Sequence, residues 1–290
     1  GSDRLWFWLL CDAVYMLLFF ALPAFRPLPL APFILVHLAG IAVGTLVMYT
    51  GVGAGVVWFP FFTLLGFQPA DAASFSLFNQ LAGKGSGSFK YFREGMVDWP
   101  VVRRCVPMAL LGVSGGYLFG MVLPHRYDPF LLLVFAGVVL YLLLALLWRR
   151  TRAISADVDQ DVPTASRLLV AGSSFFTGVL SVGTSDWLIP HLMRRLRMPA
   201  SRAVANGIFV MFVTAFFFWL LICCGVLFGV RDWPANPPLL FGTVPGVVIG
   251  AQFGSRLVRF TTMKRLQPAV FMIVLALSAG HMIYEFLQRL

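Results

Sequence analysis

Charge is what this chain has little of. Only 12% of its 290 residues are Asp, Glu, Lys or Arg, against about a quarter in ordinary soluble domains, and the acids are scarcer than the bases, 12 against 22. With 59% of the residues hydrophobic, this is the composition of an integral membrane protein. Alternating ten-residue patterns are missing as well, which argues against a barrel and leaves helices of about 20 apolar residues as the way across a bilayer. Cysteine is sparse, and Cys11, Cys105, Cys223 and Cys224 show no metal-ligand spacing. They read as small packing residues, and no metal or cofactor is expected. The four histidines are scattered, and there is no H-E-x-x-H motif, no Walker loop and no plausible carboxylate pair, so an intramembrane enzyme or an ATPase has no chemistry to stand on.

Glycine and proline, by contrast, are placed in a pattern. Residues 51–60 read GVGAGVVWFP and residues 181–190 read SVGTSDWLIP, with Gly53 and Pro60 matching Gly183 and Pro190 at a shift of 130 residues. The same shift matches Pro69, Ala70 and Ala73 with Pro199, Ala200 and Ala203. A shift of 134 then matches Gly95 and DWP at 98–100 with Gly229 and DWP at 232–234, and Gly112, Gly116 and Gly120 with Gly246, Gly250 and Gly254. Features kept in order across one small insertion describe a duplicated unit. The only long polar run, 151–167, separates the copies.

The expected organisation follows from segment lengths. An extra N-terminal transmembrane helix occupies 1–30, a first repeat 31–150, a cytoplasmic linker 151–166, and a second repeat 167–290. Each repeat holds two apolar segments around the glycine break and three more beyond it. The segments 55–66 and 187–196 are too short to span, so each is expected to be half of a broken, re-entrant helical hairpin. Three crossings then remain per copy, an odd number, which inverts the second repeat relative to the first. The fold class expected is all-α integral membrane. Lysines and arginines agree: Arg103, Arg104, Arg149, Arg150, Arg194, Arg195 and Arg202 fall on one side of this threading, and Arg26, Arg126 and Arg231 on the other. The positive-inside rule puts the N-terminus and the linker in the cytoplasm and the C-terminus outside. Topology and anionic lipid heads account for the net charge of +10, and no nucleic acid partner is expected. The partners expected are membrane lipid, a small anionic substrate and a second copy of the chain as a homodimer.

Irregular backbone at membrane depth survives only where protein buries it or it lines a cavity. Two breaks, one per copy, are therefore expected to meet and form a binding site, with half-helix N-termini offering N–H groups to an anion. On this reading Gly51, Gly53, Ala54 and Gly55 border the ligand in the first copy and Gly183, Thr184 and Ser185 in the second. Ser74, Ser76, Asn79, Gln80 and Lys84 on the helix after the first break, and Asn206 after the second, are the further candidates. A charged residue mid-span costs roughly 2.5–3.5 kcal/mol, so Lys84 either serves the anion or snorkels to an interface. Asp186 caps its half-helix, carries a coupling proton, or pairs with an amine of a zwitterionic substrate. His191 relays a proton or is structural. The two glycine ladders read as helix-packing faces between the copies.

The unit G-x-G-x-G, apolar stretch and Pro, followed by an Ala-rich helix and occurring twice, together with GVVIGAQFGSRLVRF near the end, resembles the TauE/SafE family of sulfite and organosulfonate exporters over roughly residues 35 to 285. The resemblance implies a bacterial inner-membrane carrier of small, often sulfur-containing anions, with both glycine motifs on the path. The function expected is secondary transport, with export of sulfite or organosulfonates by alternating access, coupled to protons through Asp186 and His191. An anion channel or a permease for small carboxylates remain alternatives.

Overall fold

Where water is absent, each backbone N–H and C=O must find its partner inside the chain, and apolar runs become helices for that reason. The computed structural model describes residues 10–11, 13–16, 30–50, 53–147, 163–232, 237–257 and 261–289. Of the N-terminal helix expected at 1–30 only residues 10–11, 13–16 and 30 are described, all helical, while Gly51 and most of the linker lie outside the described residues. Among the described residues the fold is carried by the helices α1 (Leu30–Thr50), α2 (Gly55–Leu64), α3 (Pro69–Arg93), α4 (Trp99–Val122), α5 (Asp128–Leu147), α6 (Thr164–Leu180), α7 (Thr184–Arg195), α8 (Ala200–Leu227), α9 (Pro237–Leu257) and α10 (Thr261–Gln288). Among the described residues there is no strand.

The short helices are set by backbone chemistry. Between α6 and α7, Ser181 takes a left-handed φ of 62° and Gly183 a φ of 142°, the second of which only glycine adopts without strain. α7 then turns back along α6: Thr184 meets Ser174 and Thr177, and His191 meets Ser166. The second half-helix begins at Thr184, three residues ahead of the apolar segment 187–196, and α6 begins at Thr164, inside the stretch expected as linker.

Packing repeats under exchange of the two copies. α1 lies on α9 as α6 lies on α4, α2 on α3 as α7 on α8, and α3 on α9 as α8 on α4. The glycine ladders make the first two contacts. Gly246, Gly250 and Gly254 fit against the backbone of α1 around His37, Ile41 and Thr45, and Gly112 and Gly116 against α6 around Ala171 and Phe175. A Cβ at Gly120 would meet nothing within 4 Å, so this glycine does not sit in the seam. The central helices α3 and α8 are counterparts, and they run antiparallel: Phe78 stacks edge-on to Trp219 while Gly85 and Gly87 meet Phe212 and Ile208. Aromatic side chains of α2, among them Phe59 against Phe135 and Phe62 against Phe75, fill the space around the half-helix. On the outside, Leu111, Val122, Leu144, Leu227, Ile273 and Leu277 are exposed, a surface suited to lipid tails. Trp99–Val122 and Ser201–Leu227 are each long and apolar enough to cross a bilayer.

Candidate functional site

The two breaks touch. A Cβ at Gly53 would overlap the Asp186 carboxylate, and one at Gly55 would overlap the carbonyl oxygen of Ser181. Both glycines, expected from the sequence to border a ligand, admit the opposing break. Asp186 sits at the third position of α7, and one of its carboxylate oxygens accepts the N–H of Gly183 at 3.2 Å. That satisfies a donor the helix start would otherwise leave open and places a negative charge where the helix dipole favours it.

Beside this junction α3 brings four polar side chains inward, Ser76, Asn79, Gln80 and Lys84. Gln80 Nε2 donates to the carbonyl and to the hydroxyl of Ser181, at 3.0 and 2.7 Å, and that hydroxyl donates onward to Ser76 at 2.6 Å. One turn later the Lys84 ammonium, 5% exposed, donates to Ser185 Oγ at 2.7 Å. It does not snorkel. Asn79 is wholly buried beside them.

These groups line a cavity of about 70 Å³ whose wall includes Ala54, Trp58, Asn79, Gln80, Lys84 and Ser185; roughly 10–15 Å³ on this measure admits one water. Apolar side chains complete the wall, among them Val47, Met48, Ile189, Ile208 and Val247. A second cavity, of about 410 Å³, is bordered by Asp71, Ser74, Tyr117, Phe218 and Arg231. The first takes the late part of α3 and the early part of α8, the second the early part of α3 and the late part of α8. Because α3 and α8 are antiparallel, the cavities lie at opposite ends of the pair, with Ser76, Gln80 and Ser181 between them.

Not every candidate joins the first cavity. Ser74 lines the second and accepts a bond from Arg231 at 3.2 Å. Thr184 is held by Ser174 and Thr177 at 2.9 and 2.8 Å. Asn206 is engaged with Asp98, accepting its N–H at 2.9 Å and donating to its carboxylate at 3.0 Å. His191 meets Ser166 at 2.7 Å. The residue missed is Ser181, which the shift of 130 residues pairs with Gly51. The repeat carried the signal, since Ser181, with its left-handed φ, stands where the first copy has a glycine in sequence.

A family model described as sulfite exporter TauE/SafE matches residues 36–282. The chain belongs to the TauE/SafE family. Two similar proteins are the probable membrane transporter protein YjnA of Bacillus subtilis (strain 168), 26% identical over 76% of this chain and 89% of its own length, and the probable membrane transporter protein ORF9 of Sinorhizobium sp, 27% identical over 78% and 83%. No solved structure matches the chain. TauE/SafE membership implies a membrane location, and the names of both relatives support a membrane transporter.

Proposed function

We propose that this TauE/SafE member is a secondary transporter that exports small sulfur-containing anions across a bacterial inner membrane by alternating access. The observation that carries the reading is Lys84, an ammonium buried in a cavity at the contact of two broken helices. Desolvating a cation is costly, and an anion that enters the cavity repays that cost with charge-assisted hydrogen bonds. The antiparallel course of the counterparts α3 and α8 and the exchange of contacts between copies support two inverted repeats, 31–150 and 167–290, in which α1 with α2 and α6 with α7 form re-entrant hairpins. Two cavities divided by a thin polar layer are the parts that alternating access requires.

The test is flux of sulfite and of simple sulfonates from liposomes holding the purified protein. Lys84→Met is expected to lower it by about ten-fold or more, with Lys84→Arg retaining part. Undiminished flux in Lys84→Met would remove the reading. Saturable exchange is expected of a carrier; an ohmic current in planar bilayers would identify a channel instead.

A further inference from the structure

A proline inside α2 leaves a carbonyl of that helix without its usual partner. Pro60 lies in the helix interior and has no N–H to give to the carbonyl one turn back, that of Val56. Away from water such a carbonyl needs another donor. It comes from far along the chain: Ser278 Oγ of α10 donates to the Val56 carbonyl at 2.6 Å. Both residues are buried, so water does not compete for the bond.

A hydroxyl within a helix ordinarily turns back to a carbonyl of its own preceding turn, as those of Thr45, Ser114 and Thr214 do. The Ser278 hydroxyl goes to another helix instead. One turn on, Met282 Sδ meets the Thr63 hydroxyl of α2 at 3.9 Å, so the same face of α10 follows the half-helix towards its far end.

What the Ser278 bond fixes is the start of α2. Directly before Val56, Gly55 fits against Ser181 of the opposing break and Ala54 lines the first cavity, as does Trp58 half a turn later. Pro190 stands at the matching place in α7, but that half-helix is bonded to α6 of its own copy through Thr184 and His191. The hydroxyl that holds α2 belongs to the other copy.

We infer that Ser278 is a positioning residue for transport: by closing the carbonyl that Pro60 leaves open, it holds the first turn of α2, and with it Ala54 and Trp58, at the first cavity. Ser278 is not itself part of the cavity wall and acts through α2. This rests on the reading of that cavity as the anion's site.

The proline supplies the control. Pro60→Ala restores an N–H directed at the Val56 carbonyl from within the helix, which makes the hydroxyl dispensable. In the full chain reconstituted in liposomes, Ser278→Ala is expected to raise the KM for sulfite efflux about ten-fold, with kcat less affected. Ser278→Thr, which keeps the hydroxyl, and Ser278→Ala combined with Pro60→Ala are both expected to stay near the wild-type KM. Hydrogen exchange reads the same turn with no substrate present, at the amides of Val56, Val57 and Trp58, which bond to Gly53 and Ala54. It is expected to be about ten-fold faster in Ser278→Ala, to return to the wild-type rate in the double variant, and to stay unchanged along α7. Exchange that Ser278→Ala does not alter, or that Pro60→Ala does not restore, would overturn the clamp. Altered exchange with a wild-type KM would overturn the positioning of the site by Ser278. Efflux that Lys84→Met leaves undiminished would remove the anion site and this inference with it, whatever the exchange of α2 shows.

Discussion

At Asp186 a single carboxylate meets two demands. It closes the N-terminus of α7 by accepting the Gly183 N–H, and it lies against Gly53 of the opposing break. Asparagine keeps an acceptor oxygen and the shape but neither the charge nor the proton. We propose that Asp186 carries the coupling proton. Asp186→Asn is then expected to fold normally and bind sulfonate, but to lose the dependence of flux on a proton gradient while anion exchange persists. Gradient dependence equal to wild type would leave the residue as a cap alone. Asp186→Ala removes the acceptor too and is expected to cost about 0.5–2 kcal/mol of stability, read as a lower thermal midpoint. Gly53 belongs to the same contact, since any side chain there displaces the carboxylate; Gly53→Ala is expected to impair flux as severely as Asp186→Ala.

Among elements, the break between α6 and α7 holds the layer between the cavities. Ser181 pays for its left-handed backbone, about 1–2 kcal/mol for a residue with a Cβ, and its hydroxyl links Gln80 to Ser76. Ser181→Gly relaxes the backbone and removes the link. The expected result is folded protein with faster, poorly coupled leak of sulfonate from liposomes; tight, wild-type coupling would show that the layer is not the barrier. The glycine ladder tests a different property. Gly116 lies against Phe175 and Gly178 with no room for a Cβ, so Gly116→Leu is expected to wedge α4 from α6 and lower the yield of folded protein. Gly120→Leu, with open space beside it, is expected to leave the yield unchanged. Size-exclusion profiles of the two variants make the comparison.

Across the whole molecule, the site is asymmetric although the scaffold repeats. Under the shift of 130 residues Lys84 corresponds to Thr214, Gln80 to Val210 and Asn79 to Phe209, so only one copy supplies the polar face of α3. Ser185 and Asp186, which the shift pairs with Gly55 and Val56, come from the other copy. Reporter fusions at the linker and at the C-terminus test the orientation: the linker is expected in the cytoplasm and the C-terminus outside, and finding both on one side would remove the inversion.

The helices were legible from the sequence because apolar length and a glycine or proline break are local properties, and the duplication was legible because its spacing survives in the chain. Lys84 was legible as an anomaly, since a charge within an apolar run demands a reason wherever it sits. The division of labour among the other polar residues was not. Asn79 and Asn206 look alike in sequence, each on the central helix that follows a break, yet one lines the cavity with an unpaired oxygen and the other is consumed by Asp98, 108 positions away. Ser74 and Ser76 are one helical step apart and belong to a different cavity and to the layer between cavities. Composition and periodicity determined that this chain forms breaks in apolar helices. Which hydrogen bonds are spent on the protein, and which remain for a ligand, depends on partners remote in sequence, and only the packing of α3 against the opposing break decided it.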